Sequence, residues 1–446
     1  MESNLKTIML TIEHKERELL PKCFLAMHLV MRGFRVYIGS SEAIHEVAKT
    51  IQPSIFFHKS THPKSPYYRG LGHKFVLMDE EGGVTTPVSI VDQLCKWRYK
   101  SISDQRQDLI FLPGRRWGDA VLAMPNVAGV KVHVTGWPRV DLWGHKFKSI
   151  HDKDVQRIRD EHGTFYLFPT SFGAGTASSF SEVINSSPDE ILKIIRQHKF
   201  DGFLDYISLL KSIVHILPDG EKIVIRPHPS EKLAEWEMTL KGLPKIEVIR
   251  EGDISPWILA AKSLLQFGST TVTQGALNGK MNVQYKVREQ FGVTDSPSFQ
   301  LSVNSHTPEE AYRLLSDIPQ DTSQMIQKAI QVLEDEMAFD DQQMAVTKIS
   351  SILEKEALGP VPSVRIPVMT RLRISGYFYG SALRFLMQRL GLSRARGKTV
   401  FENIKGGITA REVSELISSL EKAEGWSRVT RSKDIAKNIV CIAPTT

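Results

Sequence analysis

The sequence predicts an α/β protein of two Rossmann-like domains facing a cleft, and three observations carry that expectation. At 446 residues the chain is too long for one ordinary domain. Short apolar strands alternate with helical stretches, the pattern of parallel sheets covered on both faces. The alternation restarts after the charged stretch HDKDVQRIRDEHG, so that two such series meet near residues 145–160.

In the first series KTIMLTI reads as a strand, KERELLPKCFLAMHLVMRG as a helix and FRVYIGS as the next strand. Apolar runs at PSIFFH, KFVLMDEEG, DLIFLPG and VKVHVTGWPR follow. The first turn lacks G-x-G-x-x-G, so the sequence does not support a dinucleotide site. In the second series TFYLFPTSFG is a strand running into a Gly/Ser-rich loop, DGFLDYISLLKSIVHIL a helix and EKIVIRPHPS a strand. KIEVIREG, SPWILAAKSLLQFGSTT and NVQYKV continue it. Beyond residue 300, TPEEAYRLLSDI and SQMIQKAIQVLEDEMAFDDQQMAVTKISSILEKEAL are helical. FENIKGGITAREVSELISSLEKAEGW adds a helix with Thr409 as N-cap three residues before Glu412. The expected partition is 1–150, 151–355 and a basic helical region over 356–446.

The composition, 41% hydrophobic and 24% charged, is that of a soluble globular protein. No run of about eighteen apolar residues is present, and MESNLKTIML has neither the basic nor the long apolar part of a signal peptide. These features predict a cytoplasmic protein. Cys23, Cys95 and Cys441 form no CxxC pair, which argues against a disulfide framework or a zinc knuckle. The net charge of +7 is local: residues 361–400 hold seven Arg, one Lys and no acid, leaving 49 basic against 50 acidic residues elsewhere. A uniformly basic nucleic-acid groove is not expected. Within that segment apolar residues mix with Arg384 and Arg389 at helical spacing, which suits a helix on an anionic membrane surface or one packed on the protein itself.

In open α/β sheets ligands sit beyond the carboxyl ends of the strands, and five loops qualify. GSTTVTQGALNGK sets Gly268, Ser269, Thr270 and Thr271 between a strand and a helix, where hydroxyls and backbone N–H groups hold a phosphate; the same residues also serve as ordinary N-caps. In IVIRPHPS, Pro227 and Pro229 stiffen the loop that carries Arg226 and His228. Together these loops form a basic, hydroxyl-rich phosphate pocket, to which PTSFG adds Ser171. LMDEEGG clusters Asp79, Glu80 and Glu81, adjacent carboxylates suited to acid/base work or to a polar turn. In TGWPRVD, Asp141 reads as a carboxylate held ionised by Arg139, or as a cap.

The acidic pair before glycine, then His-Pro, then Ser-Thr-Thr resembles the signature of bacterial sialyltransferases and capsule Kdo transferases of the GT-B fold, which use CMP-activated sugars. The resemblance implies a catalytic Glu80 or Glu81, with His228, Ser269 and Thr270 on the CMP phosphate. The chain is more similar to the surface carbohydrate biosynthesis proteins related to retaining β-Kdo transferases. KERELLPKCFLAMHLVMRGFRVYIGS, LMDEEG, TGWPRVD, IVIRPHPSE and IKGGITAREV look like that family's landmarks, across nearly the whole chain. It also implies an Asp nucleophile, for which Asp141 is the candidate. Two positions depart from the pattern: Phe267 and Gln274 stand where Asn and Glu are expected, with Gln274 still able to bond a ribose. TGWPRVD also looks like part of the CDP-glycerol glycerophosphotransferases, the alternative enzyme class; a non-catalytic polysaccharide assembly protein is a third.

The expectation is a GT-B glycosyltransferase adding a Kdo-like or other nonulosonic acid to a glycan or lipid-linked acceptor, without cofactor. A CMP donor has one phosphate, which His228, Arg226 and helix-end dipoles can neutralise without a metal. In a retaining route Asp141 attacks the anomeric carbon and Glu80 or Glu81 is the acid/base; in an inverting route the glutamate activates the acceptor hydroxyl.

Overall fold

The structure, a computed structural model, describes residues 4–59, 64–80, 83, 86, 88–102, 107–176, 190–287, 296–340, 342–390, 392, 400–404 and 406–445. The chain forms two compact units. One holds Met1–Glu81, Asp92–Leu142 and Met337–Thr446; the other holds Gly82–Val91 and Trp143–Glu336. The stretch after 356, expected to stand apart as a basic helical region, therefore groups with the unit that begins the chain.

The first unit starts with six parallel strands: β1 (Lys6–Ile12), β2 (Phe34–Ser40), β3 (Ile55–His58), β4 (Lys74–Met78), β5 (Leu109–Leu112) and β6 (Lys131–Val134). Strands β1 to β5 are buried along almost their whole length, which is why they read as uninterrupted apolar runs. Helix Lys15–Met31 covers them with Leu19, Cys23, Phe24 and Met27.

The second unit is wholly parallel: β7 (Thr164–Pro169), β8 (Glu221–Arg226), β9 (Ile246–Val248), β10 (Leu264–Gln266), β11 (Asn282–Tyr285) and β12 (Val303–Ser305), in the order β12-β11-β10-β7-β8-β9. Helix Glu190–Ile213 packs on it through an aromatic cluster. Phe168 stacks on Tyr206 at 4.9 Å and Phe172 on Phe267 at 4.7 Å, joining the loops after β7 and β10 to the same core.

Beyond the last helix the chain continues in two strands that the sequence does not predict, β13 (Thr430–Ala436) and β14 (Ile439–Pro444). This hairpin pairs antiparallel with β2, giving the first sheet the order β13-β14-β2-β1-β3-β4-β5-β6. Asn438 makes the turn at φ +59°. Its carbonyl accepts from the Ser40 N–H at 3.1 Å, and a Cβ on Gly39 would stand 2.6 Å from that oxygen, so the docking needs glycine there.

Candidate functional site

In the second unit, β7 lies between β8 and β10, and Pro169 pairs with Arg226. The loops PTSFG, RPHPS and GSTT are thus neighbours at the carboxyl edge of one sheet. What organises them is Glu231, 2% exposed and named by none of the sequence-level candidates. Its carboxylate accepts from the Thr170 hydroxyl at 2.5 Å, the Trp236 indole N–H at 2.8 Å and the Gly173 backbone N–H at 3.0 Å. Burial pushes its pKa up, and these donors oppose the rise. Thr170 Oγ1 in turn accepts the His228 backbone N–H at 3.1 Å.

The His228 ring is exposed, and two donors converge on its Nδ1: the Ser230 N–H at 3.2 Å and the Ser230 hydroxyl at 2.7 Å. A nitrogen that accepts from a backbone N–H carries no proton, so the proton of the neutral ring sits on Nε2. On the neighbouring loop Gly268 takes φ +57° and donates to Gln266 Oε1 at 2.6 Å. Thr271 donates its hydroxyl to Ser269 Oγ at 2.8 Å. The Thr270 hydroxyl does not cap helix Thr271–Leu277, and all three hydroxyl residues are partly exposed.

The other donor-site candidates are placed differently. Ser171 donates its hydroxyl to the Phe267 carbonyl, tying two loops together. Phe267 is core, and Gln274 lies on the buried face of its helix. Arg226, 7% exposed, sends its guanidinium to the Glu251 and Gly252 carbonyls, the latter at 2.9 Å, and lies over the Trp257 ring at 4.8 Å. Its fork holds the segment after β9.

In the first unit, Asp79 follows β4 and is gripped by Arg98 through two bonds of 2.5 and 2.6 Å. Glu80 is 4% exposed, with Oε2 3.6 Å from the buried Lys22 ammonium. Its Oε1 makes no hydrogen bond among the described residues, an unusual state for a buried carboxylate oxygen. Lys22, which the sequence analysis did not single out, also lies over the Phe57 ring at 4.8 Å. The available signal was a lone charge inside the apolar helical run LLPKCFLAMHLVM. Glu81 lies outside the described residues.

Asp141 is 4% exposed, and its two oxygens accept from the Ala345 and Val346 N–H groups at 3.0 and 2.8 Å. It therefore serves the start of helix Ala345–Glu356, about two hundred residues away, where the helix dipole favours an anion. Burial pushes its pKa up to about 7 despite those two bonds. Among the described residues no group of three His, Cys, Asp or Glu side chains is placed to hold a metal ion.

No protein-family model and no curated protein matches the chain. Solved structures do. A putative UDP-N-acetylglucosamine 2-epimerase from Listeria monocytogenes has TM-score 0.50 at 12% identity, over 81% of this chain and 100% of that one. The fold is GT-B-like. The wall teichoic acid polymerase TagF with CDPG reaches 0.48 at 11% identity, over 79% of this chain and 88% of that one. MnaA of S. aureus with UDP reaches 0.44 at 11% identity, over 88% and 99%.

The Asp141 geometry has a measurable consequence. Asp141→Ala orphans two N–H groups and should destabilise the first unit by about 1–3 kcal/mol for each. A carboxyl whose folded pKa is raised adds stability that is complete below its unfolded value and is lost as pH rises through about 7. The stability gap between wild type and mutant in urea titrations should therefore be larger at pH 5 than at pH 8; a gap that widens toward pH 8 would contradict this.

Proposed function

We propose that this chain is a glycosyltransferase of surface polysaccharide biosynthesis that takes a CMP-linked Kdo or other nonulosonic acid and passes the sugar to a glycan or lipid-linked acceptor. The observation that carries this reading is the His228 loop. Glu231 and Thr170 hold its backbone, and Ser230 holds its ring with Nε2–H as the donor. Beside it, across β7, lie the Ser269 and Thr270 hydroxyls. A phosphate leaving group gathers charge as the glycosidic bond breaks, and donors already fixed at that place stabilise it most.

Glu80 is the general base of this reading. The acceptor oxygen attacks the anomeric carbon, the electron pair of the breaking bond leaves on the CMP phosphate, and the acceptor proton passes to Glu80 Oε1. The other oxygen of this carboxylate, Oε2, lies 3.6 Å from the Lys22 ammonium. The inverting route is preferred, because Asp141 is buried and each of its oxygens already accepts a helix N–H. Glu81 is the alternative base.

Calorimetry with CMP, CDP, UMP and UDP tests the donor assignment. CMP should bind, and His228→Ala should weaken it by about 1.5–3 kcal/mol, the range for a hydrogen bond to a charged group. Glu80→Gln should keep CMP affinity and lose transfer, with Glu81→Gln as the comparison. CDP bound in preference to CMP would move the reading to a polyol-phosphate transferase, and unchanged CMP affinity in a folded His228→Ala protein would remove the histidine from it.

The same proposal places the chain at the inner face of an anionic membrane. Among the described residues no helix is long and apolar enough to cross one. Helix Val368–Arg389 instead packs by a narrow stripe, Thr370, Ile374 and Phe378, with Ile374 set among the side chains of helix Ser41–Ala48. At about 100° per residue the exposed Leu372, Tyr379, Leu383 and Leu386 fall on roughly the opposite side, with Arg371 on one flank and Arg373 and Arg384 on the other. An apolar ridge between two basic margins suits the headgroup boundary. The protein should float with vesicles containing phosphatidylserine and be released as salt rises, each cation adding about 1 kcal/mol. Arg371→Glu, Arg373→Glu and Arg384→Glu combined should abolish flotation; a wild-type protein that ignores such vesicles at low salt would refute the membrane role.

A further inference from the structure

Helix Glu190–Ile213 lays its inner stripe against the loops that build the phosphate site. His198 stacks on Phe267 at 5.1 Å, and Phe203 meets Phe172 at 5.7 Å. Gly202 lets the Phe267 ring come within 2.3 Å of where a Cβ would stand. At about 100° per residue Lys199 falls within about 60° of Gly202, Phe203 and Tyr206, inside that stripe rather than on the solvent side. A lysine there is unexpected, because burying an ammonium is costly unless a charge meets it.

The surroundings show what is missing. Lys199 is partly buried; burial pulls its pKa down, and Glu231 is the charge that acts against the fall. Among the described residues it makes no hydrogen bond or ion pair. Glu231 itself is occupied by Thr170, Gly173 and Trp236. Glu231, the charge that acts on this cation, and the rings Phe172 and Phe267 that the same helix meets through Phe203 and His198, all follow the carboxyl ends of β7, β8 and β10.

We propose that Lys199 is a phosphate-binding residue of the donor site, its ammonium completing the neutralisation that the His228 Nε2–H and the Ser269 and Thr270 hydroxyls begin. This rests on the nucleotide reading above and adds to it a full positive charge, which the loops lack once Arg226 is committed to backbone carbonyls. It also adds a helix face to the loop motifs that bind the anion.

The test is calorimetry of the whole chain with CMP, cytidine and inorganic pyrophosphate. Lys199→Met should lower CMP and pyrophosphate affinity by about tenfold or more, as loss of a charged hydrogen bond implies. Its cytidine affinity and its thermal midpoint should not fall, and Lys199→Arg should recover most of the CMP affinity. Wild-type affinity for both anions in Lys199→Met would overturn the proposal, as would equal loss of cytidine binding. Should Lys199→Met fail to fold, acetylation of wild-type lysines read by mass spectrometry decides: pyrophosphate should protect Lys199, and unprotected labelling overturns it. A wild-type protein that binds pyrophosphate through Lys199 but no nucleotide would sink the nucleotide reading and leave this assignment standing; one that binds neither sinks both.

Discussion

One buried carboxylate sets the geometry on which the rest of the second unit's chemistry depends. An anion as buried as Glu231 is tolerated only where donors surround it, and its three donors come from two different elements. Gly173 and Thr170 belong to the loop after β7, and Trp236 to the helix beyond β8. Thr170 passes the constraint to the His228 backbone. Through Phe172 the same loop presses on Phe267, which leads into the hydroxyl loop. A single charge thereby fixes the relative positions of an imidazole donor and a hydroxyl cluster that are separated by some forty residues of sequence.

The parts of this arrangement that were legible in the sequence are those that local chemistry dictates. Parallel strands buried on both faces leave uninterrupted apolar runs, so β1, β2, β7 and β8 could be read directly. The prolines around His228 marked a stiff loop, and Gly268 with the hydroxyls after it marked a loop between a strand and a helix. Residues whose partners lie far along the chain were not legible. Asp141 binds the start of a helix about two hundred residues away, and Arg226 binds carbonyls twenty-five residues on. Their charges suggested chemistry, yet both serve the backbone. The hairpin of β13 and β14 was missed for a related reason. Its outer strand is mostly polar and half exposed, so only its pairing with β14, and of β14 with β2, reveals it as part of a sheet.

The first unit also turns on buried carboxylates. There Asp79 is satisfied by Arg98, while among the described residues its neighbour Glu80 keeps one oxygen without a hydrogen bond and faces a buried lysine. Two adjacent acids in one turn thus have different environments, one structural and one left with spare accepting capacity. The departures at Phe267 and Gln274 fit the same logic. Phe267 exchanges a polar contact for packing that anchors the loop, and Gln274 is drawn into the helix core.

Phosphate binding by this loop depends on the protonation geometry of His228, and nitrogen NMR of histidine-labelled protein reads it directly. In the free protein the His228 ring should be the neutral tautomer with its proton on Nε2 and Nδ1 accepting from Ser230. Saturating CMP should move the Nε2–H resonance strongly while leaving Nδ1 an acceptor, and cytidine should not. A His228 ring protonated on Nδ1, or one whose Nε2 resonance ignores CMP that calorimetry shows to be bound, would contradict the claim that this loop is built to hold a phosphate.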